Sequence, residues 1–150
     1  MIRDYNPNLH KDNRGLEKLL IELDNSKIRD GFDDELKDLQ YYERMFSSKK
    51  DGDLVLFTYY NQIEGFLAGL KRFKERIYDI HMLYVGEEYR HQGIAMKLKN
   101  EGIKRAKEKG AIEITTMVLD TNYPIIELNR KMGWKEHSYP DSIRFYKNLK

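Results

Sequence analysis

A strand that runs into a helix through a turn of small residues constrains this fold more than any other feature of the sequence. The run IYDIHMLYV at 77–85 has the apolar character of a buried strand, and GIAMKLKNEGIKRAKEKG at 93–110 has helical apolar spacing. Between them, YRHQGIA carries Gly93 and Ala95. Small residues let the backbone N–H groups of a helix N-terminus approach an anion, which predicts a phosphate-binding turn. Close packing of the helix on the sheet is the alternative explanation.

Length and composition predict one cytoplasmic domain. A chain of 150 residues removes roughly 70% of its unfolded surface from water. The net charge of +2 gives no reason to expect a nucleic-acid or membrane partner. The absence of cysteine excludes disulfides, thiolate metal sites and a cysteine nucleophile, and no metal is expected. No apolar run approaches the ~20 residues of a membrane span, and the N-terminus lacks a signal-peptide core.

The apolar periodicity predicts a mixed α/β (α+β) domain with one central sheet. Asp12 or Asn13 can cap a first helix, and Asn122 can cap the last one. Gly110 and Gly133 mark helix ends. The predicted elements are helices at 13–24 and 33–46 joined by a loop at 25–32, strands at 53–60, 63–73 and 76–85, a helix at 93–110, a strand at 111–119, a helix at 123–132 and two strands within 134–149.

Two motifs at a fixed separation identify a family. Neither a P-loop nor a G-x-G-x-x-G fingerprint is present. The segment Arg90 to Ala95 reads R-x-x-G-x-A after a strand that ends at Val85, and Asp120 to Trp134 has an Asn before a short helix that ends in a Gly-aromatic pair. Together they resemble the acetyl-coenzyme A signature of the GNAT superfamily of N-acetyltransferases. The resemblance implies one GNAT-like domain over 1–150, with a central, mostly antiparallel sheet splayed at the signature strand and about four flanking helices.

The same resemblance implies which residues bind acetyl-coenzyme A as co-substrate. In the family, backbone amides of the turn hold the pyrophosphate and the exposed edge of the signature strand pairs with the pantetheine arm. The implied cofactor-binding positions are Leu83, Tyr84, Val85, Arg90, His91, Gln92, Gly93, Ile94, Ala95, Met96, Asn122 and Asn129.

The implied reaction is direct attack of a neutral primary amine on the thioester. The amide of Leu83 is the implied oxyanion donor, and one such bond is worth roughly 3 kcal/mol. Asp79 matches a position where several family members carry a carboxylate base, and a surface charge paired with Arg76 or Lys71 is its alternative role. His81 follows on the same strand face and can share or replace that role.

One residue departs from the family pattern. Many members carry a tyrosine in the last helix that protonates the leaving thiolate, and here that position is Asn129. An asparagine has no titratable proton to give. Tyr139, Tyr146 or water remains as the proton donor, and a non-catalytic acetyl-coenzyme A binding or regulatory module remains as the alternative function.

The partner is predicted only as an amine acceptor, either a small molecule or a protein. Acidic residues can attract a cationic amine, and a homodimer is possible. The candidates are Asp30, Asp33, Asp34 and Glu35, beside Tyr41 and Tyr42, and helix capping is the alternative role of Asp33 and Asp34. The basic residues of 93–110 predict a solvated helix face rather than a nucleic-acid-binding domain, although Lys97 and Lys99 can reach the distal phosphate of the cofactor. These basic residues are Lys97, Lys99, Lys104, Arg105, Lys107 and Lys109.

Overall fold

The computed structural model describes residues 1–29, 52–72 and 74–150. The mixed order of helices and strands confirms the predicted α/β class. The helix predicted at 33–46 and the acidic and tyrosine residues proposed to attract the acceptor lie outside the described residues. The elements are β1 (Ile2–Asp4), α1 (His10–Arg29), β2 (Gly52–Tyr59), β3 (Gln62–Arg72), β4 (Ile77–Val85), a 3-10 turn (Glu87–Tyr89), α2 (Ile94–Glu108), β5 (Glu113–Leu119), α3 (Tyr123–Lys131), β6 (Lys135–Ser138) and β7 (Ser142–Asn148).

The chain divides into two compact units. Unit 1 contains the described residues of Met1–Ala68 together with Met82–Leu98, and unit 2 contains those of Gly69–His81 together with Lys99–Lys150. The hydrogen-bonded strand order is β1-β2-β3-β4 in unit 1 and β3-β4-β5-β7-β6 in unit 2. Strands β3 and β4 occur in both because the boundaries fall within them.

The core of unit 1 forms between α1 and the strands. Helical spacing places three leucines of α1 on one buried face. Strand β1 pairs antiparallel with β2, so that Ile2 lies opposite Phe57. Three residues are too few to show a period of two, which is why the pattern did not reveal β1. The buried cluster comprises Leu16, Leu19, Leu20, Ile63, Phe66 and Tyr84.

Unit 2 contains a parallel strand pair. Strand β4 pairs parallel with β5 from Ile77 to Ile80, so this ladder covers only the first half of β4. Strand β5 continues antiparallel with β7 along its whole length, and β7 pairs with β6. The predicted tail of two short strands around a proline turn is therefore confirmed.

Helix α1 differs from its predicted bounds. It begins at His10 and continues to Arg29, so the predicted loop at 25–32 is wrong at least as far as Arg29. Asp12 and Asn13 lie inside the first turn and are not N-caps. Weak helix propensity at Asn25 and Ser26 suggested a loop, but single residues are a weak guide inside a long helix.

Candidate functional site

The turn between β4 and α2 has the backbone conformation of an anion-binding site. Gly93 has a φ of +80° and His91 a φ of +64°. A Cβ built on Gly93 would meet no heavy atom within 4 Å, so the space beside this residue is open. The first helical hydrogen bond runs from the Lys97 N–H to the Gly93 carbonyl at 3.1 Å. The preceding N–H groups of α2 have no acceptor within the helix and can donate to an anion.

Side chains of unit 1 fix the approach to this turn. The Arg90 Nε donates to the Val85 carbonyl at 3.1 Å, and its guanidinium lies 5.4 Å from the ring centroid of Tyr84. The Tyr89 hydroxyl donates to Gln62 Oε1 at 2.8 Å. Arg90 is still exposed to solvent, so its positive charge is accessible beside the turn.

The predicted strand edge at Leu83 to Val85 contributes through its backbone. The ring of Tyr84 is buried in the α1 core, and burial raises the pKa of its hydroxyl above the ordinary value. A contact between Tyr84 and a cofactor must therefore come from main-chain atoms. Leu83 and Val85 are half-buried.

The two predicted bases lie in unit 2 and have different surroundings. The Asp79 carboxylate forms an ion pair with Arg72, with Nε and Oδ2 2.6 Å apart. Arg76, one of the partners considered for Asp79, instead donates from Nε to the Gly110 carbonyl at 3.3 Å. His81 is exposed. Asp79 is thus held by a cation, whereas solvent reaches His81.

Unit 2 also contains a buried polar cluster of Lys99, Asn129 and Trp134. Asn129 is fully buried, and within the described part of the chain neither Oδ1 nor Nδ2 has a hydrogen-bond partner. The indole Nε1 of Trp134 is also without one there. The Lys99 ammonium lies 3.8 Å from the Trp134 ring centroid, and burial lowers its pKa to about 7.

Lys99 corrects the prediction of a solvated basic face. Lys97, Lys104 and Lys107 are exposed as expected, but Lys99 is only 1% exposed. The position of Lys99 in the helical period indicated burial, but the surrounding basic residues suggested a solvated face. Ala95, Lys99, Gly102 and Ala106 form a stripe with helical period, and the last three of these are buried.

The remaining predicted residues of unit 2 are at or near the surface. Asn122 is exposed at the N-cap position of α3, but its side chain makes no capping hydrogen bond, which corrects its predicted role as a cap. Tyr139 is exposed, with its ring edge-on to His137. Tyr146 is half-buried, and the Arg144 guanidinium lies 4.8 Å from its ring centroid.

Two kinds of feature are absent from residues 1–29, 52–72 and 74–150. No group of three or more His, Cys, Asp or Glu side chains is placed to hold a metal ion. No helix within these ranges has the length and apolar character needed to cross a membrane.

A helix N-terminus that is preceded by glycine and follows a sheet strand after a short loop is typical of anion-binding α/β proteins. The sequence model of the Acetyltransferase (GNAT) family matches residues 17–134, and the chain belongs to this family. Among curated proteins, none matches the sequence significantly.

Solved structures show the same fold at low sequence identity. Aminoglycoside 6'-acetyltransferase type Ii is similar with a TM-score of 0.82 and 18% identity over 100% of this chain and 97% of that one. A GNAT-family acetyltransferase from Staphylococcus aureus Mu50 has a TM-score of 0.79 and 17% identity, covering 100% and 99%. The PaiA N-acetyltransferase of Thermoplasma acidophilum, solved with coenzyme A, has a TM-score of 0.76 and 19% identity, covering 99% and 98%.

Family membership supports an acyltransferase. In unit 1, the space beside Gly93 is open, and the N–H groups at the start of α2 have no acceptor within the helix. In unit 2, the donor and acceptor atoms of the buried Asn129 amide lack hydrogen-bond partners among the described residues.

Proposed function

We propose that this protein transfers an acetyl group from acetyl-coenzyme A to a primary amine by direct attack in a ternary complex. The turn at Gly93 carries the proposal, because its φ of +80° and the open space beside it leave the helix N-terminus accessible to a pyrophosphate. The PaiA N-acetyltransferase, similar in fold, is by its name an enzyme that acts on nitrogen, which supports an amine acceptor.

The proposed cofactor contacts combine backbone and side-chain groups. The N–H groups of the turn and of the first turn of α2 bind the pyrophosphate, and Arg90 adds positive charge. The backbone at Leu83 to Val85 pairs with the pantetheine arm. Asn129 is proposed separately as a cofactor contact, since a hydrogen bond there would satisfy an amide that is otherwise costly to bury.

The chain must supply a base for the acceptor. An alkylammonium with a pKa of about 10.4 is protonated at neutral pH and has to lose a proton before it can attack. We assign this role to His81, because the ion pair with Arg72 occupies the alternative, Asp79. The N–H of Leu83 stabilises the developing oxyanion.

The leaving thiol group has an ordinary pKa of about 8.5, so it can depart as a thiolate or take a proton from a nearby donor. Asn129 cannot donate a titratable proton. Tyr139 is the better-exposed of the two tyrosine candidates, and water is the alternative.

A non-catalytic coenzyme A binding or regulatory module is the second candidate function. Two observations favour it: Asp79 is held by Arg72, and Asn129 replaces a proton donor. Both candidates require coenzyme A binding, and they differ only in turnover.

The test is release of free thiol from acetyl-coenzyme A in the presence of a panel of primary amines. We expect turnover with at least one amine, a kcat reduced by about tenfold or more in His81→Gln, and a smaller loss in Asp79→Asn. Coenzyme A binding with no turnover for any amine would establish the non-catalytic module. A larger loss in Asp79→Asn than in His81→Gln would move the base to Asp79.

A further inference from the structure

Unit 1 contains a pocket of about 190 Å³ whose wall includes Gln92 and Ile94, which belong to the turn and helix start proposed to bind the pyrophosphate. Such a volume has room for on the order of six water molecules or one small organic molecule. Its wall combines two aromatic rings, one aliphatic side chain and three polar side chains. The lining residues are Phe57, Tyr59, Glu64, Gln92, Ile94 and Lys97.

Glu64 is the unusual member of this wall. It lies on β3 and is only 4% exposed, and its Oε1 has no hydrogen-bond partner within the described part of the chain. Burial raises the pKa of the carboxyl, an effect that the positive charges of the N-terminal amine and Lys97 oppose. A buried carboxylate oxygen without a donor costs folding free energy, so a ligand that donates to it is favoured.

Positive charge and a polar amide complete the wall. Lys97 is exposed, and its ammonium lies 5.5 Å from the ring centroid of Phe57. Gln92 is also exposed and offers a carboxamide with two N–H donors. The pocket therefore joins one carboxyl group, whose Oε1 lacks a donor among the described residues, to two groups that can bind an anion.

Apolar surface completes the pocket. Phe57 is half-buried and Ile94 is buried, so both present hydrocarbon surface that gains from contact with an apolar group. A simple alkylammonium would satisfy Glu64 but would place a second cation near Lys97. A molecule with both charges and a short hydrocarbon chain matches every part of the wall.

We propose that this pocket binds a small zwitterion of the amino-acid class, with its ammonium on Glu64, its carboxylate toward Lys97 and Gln92, and its hydrocarbon chain against Phe57 and Ile94. The pocket shares Gln92 and Ile94 with the proposed pyrophosphate site, but binding of a zwitterion at Glu64 does not require acetyl transfer. Its test is made without acetyl-coenzyme A, so failure here and failure of the acetyltransferase proposal are distinguishable.

The experiment measures calorimetric binding of three matched probes to the intact chain. L-leucine carries both charges, isoamylamine is leucine without the carboxylate, and isocaproate is leucine without the ammonium. We expect leucine to bind more tightly than either probe that lacks one charge. Loss of a charge-assisted hydrogen bond in Glu64→Gln should weaken leucine binding by about tenfold or more.

Two lysine variants complete the design. Lys97→Met should weaken leucine binding and leave isoamylamine binding unchanged or improved, because only the carboxylate contact is lost. Lys104→Met removes an exposed lysine of the same helix that does not line the pocket, and it should leave binding unchanged. Absence of leucine binding, or equal leucine affinity in the wild type and Glu64→Gln, would overturn the proposal, since water alone would then fill the pocket.

Discussion

Two buried charged side chains, Asp12 in unit 1 and Lys99 in unit 2, have opposite kinds of surroundings. Asp12 forms an ion pair with Arg3 and accepts a hydrogen bond from the Asn6 N–H at 3.0 Å. Lys99 lies against the face of Trp134. Both side chains are nearly inaccessible to solvent, so their surroundings make the difference.

The pKa values express this contrast. Burial alone would raise the pKa of Asp12, but the hydrogen bonds from Arg3 and Asn6 and the nearby charges of Arg3 and Lys11 hold it below its usual range. Burial lowers the pKa of Lys99 to about 7. The charged form of Asp12 is thus stabilised by the fold, and the charged form of Lys99 is penalised. A buried charge that has partners indicates a structural role. A buried polar group that lacks partners indicates a candidate binding site.

The largest expected effect is a rise in stability with pH that originates at Lys99. Its pKa is about 7 when folded and about 10.5 when unfolded, so between these values the unfolded chain binds the additional proton. The penalty is fully present below pH 7 and disappears as the pH approaches 10.5. In this window we expect the free energy of unfolding to increase by about 1.4 kcal/mol per pH unit, as measured by urea unfolding.

Lys99→Met should remove this pH dependence and stabilise the protein at pH 7, because methionine fills a similar volume without a charge. Lys104→Met, an exposed site on the same helix, should change neither. If stability depended on pH identically in the wild type and Lys99→Met, the assignment of this dependence to Lys99 would be refuted.

The second-largest expected effect comes from Asp12, the buried charge that has partners. Asp12→Asn retains the shape of the side chain but removes the charge that Arg3 requires, and we expect a loss of about 3 kcal/mol at neutral pH. Because the folded pKa of Asp12 is lowered, its contribution should also be lost in the wild type as the pH falls through that value. Urea unfolding at several pH values measures both.

Glu17→Gln is the control, since Glu17 is an exposed acidic residue of the same helix. It should cost little or nothing. If Asp12→Asn were as stable as Glu17→Gln, the ion pair would contribute no net stability.

The smallest expected effect is at the turn before α2, where the hydrogen-bond donors are backbone N–H groups. Gly93→Ala places a Cβ in the open space beside the helix N-terminus at a φ of +80°. We expect coenzyme A to bind about tenfold more weakly and the fold to lose about 1 kcal/mol. Calorimetric titration with coenzyme A and thermal unfolding measure the two effects.

Gly110→Ala is a matched control. Gly110 has a φ of +78° and equally open space, but it follows the C-terminus of α2. It should lose similar stability and retain its coenzyme A affinity. Equal affinity losses in both variants would show that Gly93 acts only through helix stability.

The sequence predicts those parts of the molecule that are determined by residues close together in the chain. The Gly93 turn, strands β2 and β3 and the end of α2 just before Gly110 each depend on residues adjacent in the chain, and the structure has them within two residues of the predicted positions. The family assignment depends on the same local motifs and is confirmed.

The remaining features depend on residues far apart in the sequence. Asp12 resembles a helix cap until Arg3 is placed beside it, and Lys99 resembles a solvated lysine until Trp134 covers it. Glu64 gives no signal in an alternating strand, because only the packing of α2 shows that its carboxylate lines a pocket. Which carboxylate carries a partner is thus decided by tertiary contacts.

The boundaries of the two units within β3 and β4 also limit how the gene can be shortened. Each unit is assembled from two separate stretches, so no single cut in the chain yields either unit intact. A fragment that ends at Leu98 would retain the first half of β4 but lose β5, its parallel neighbour there. An unpaired strand edge of this kind promotes aggregation, so we expect such a fragment to be insoluble on expression.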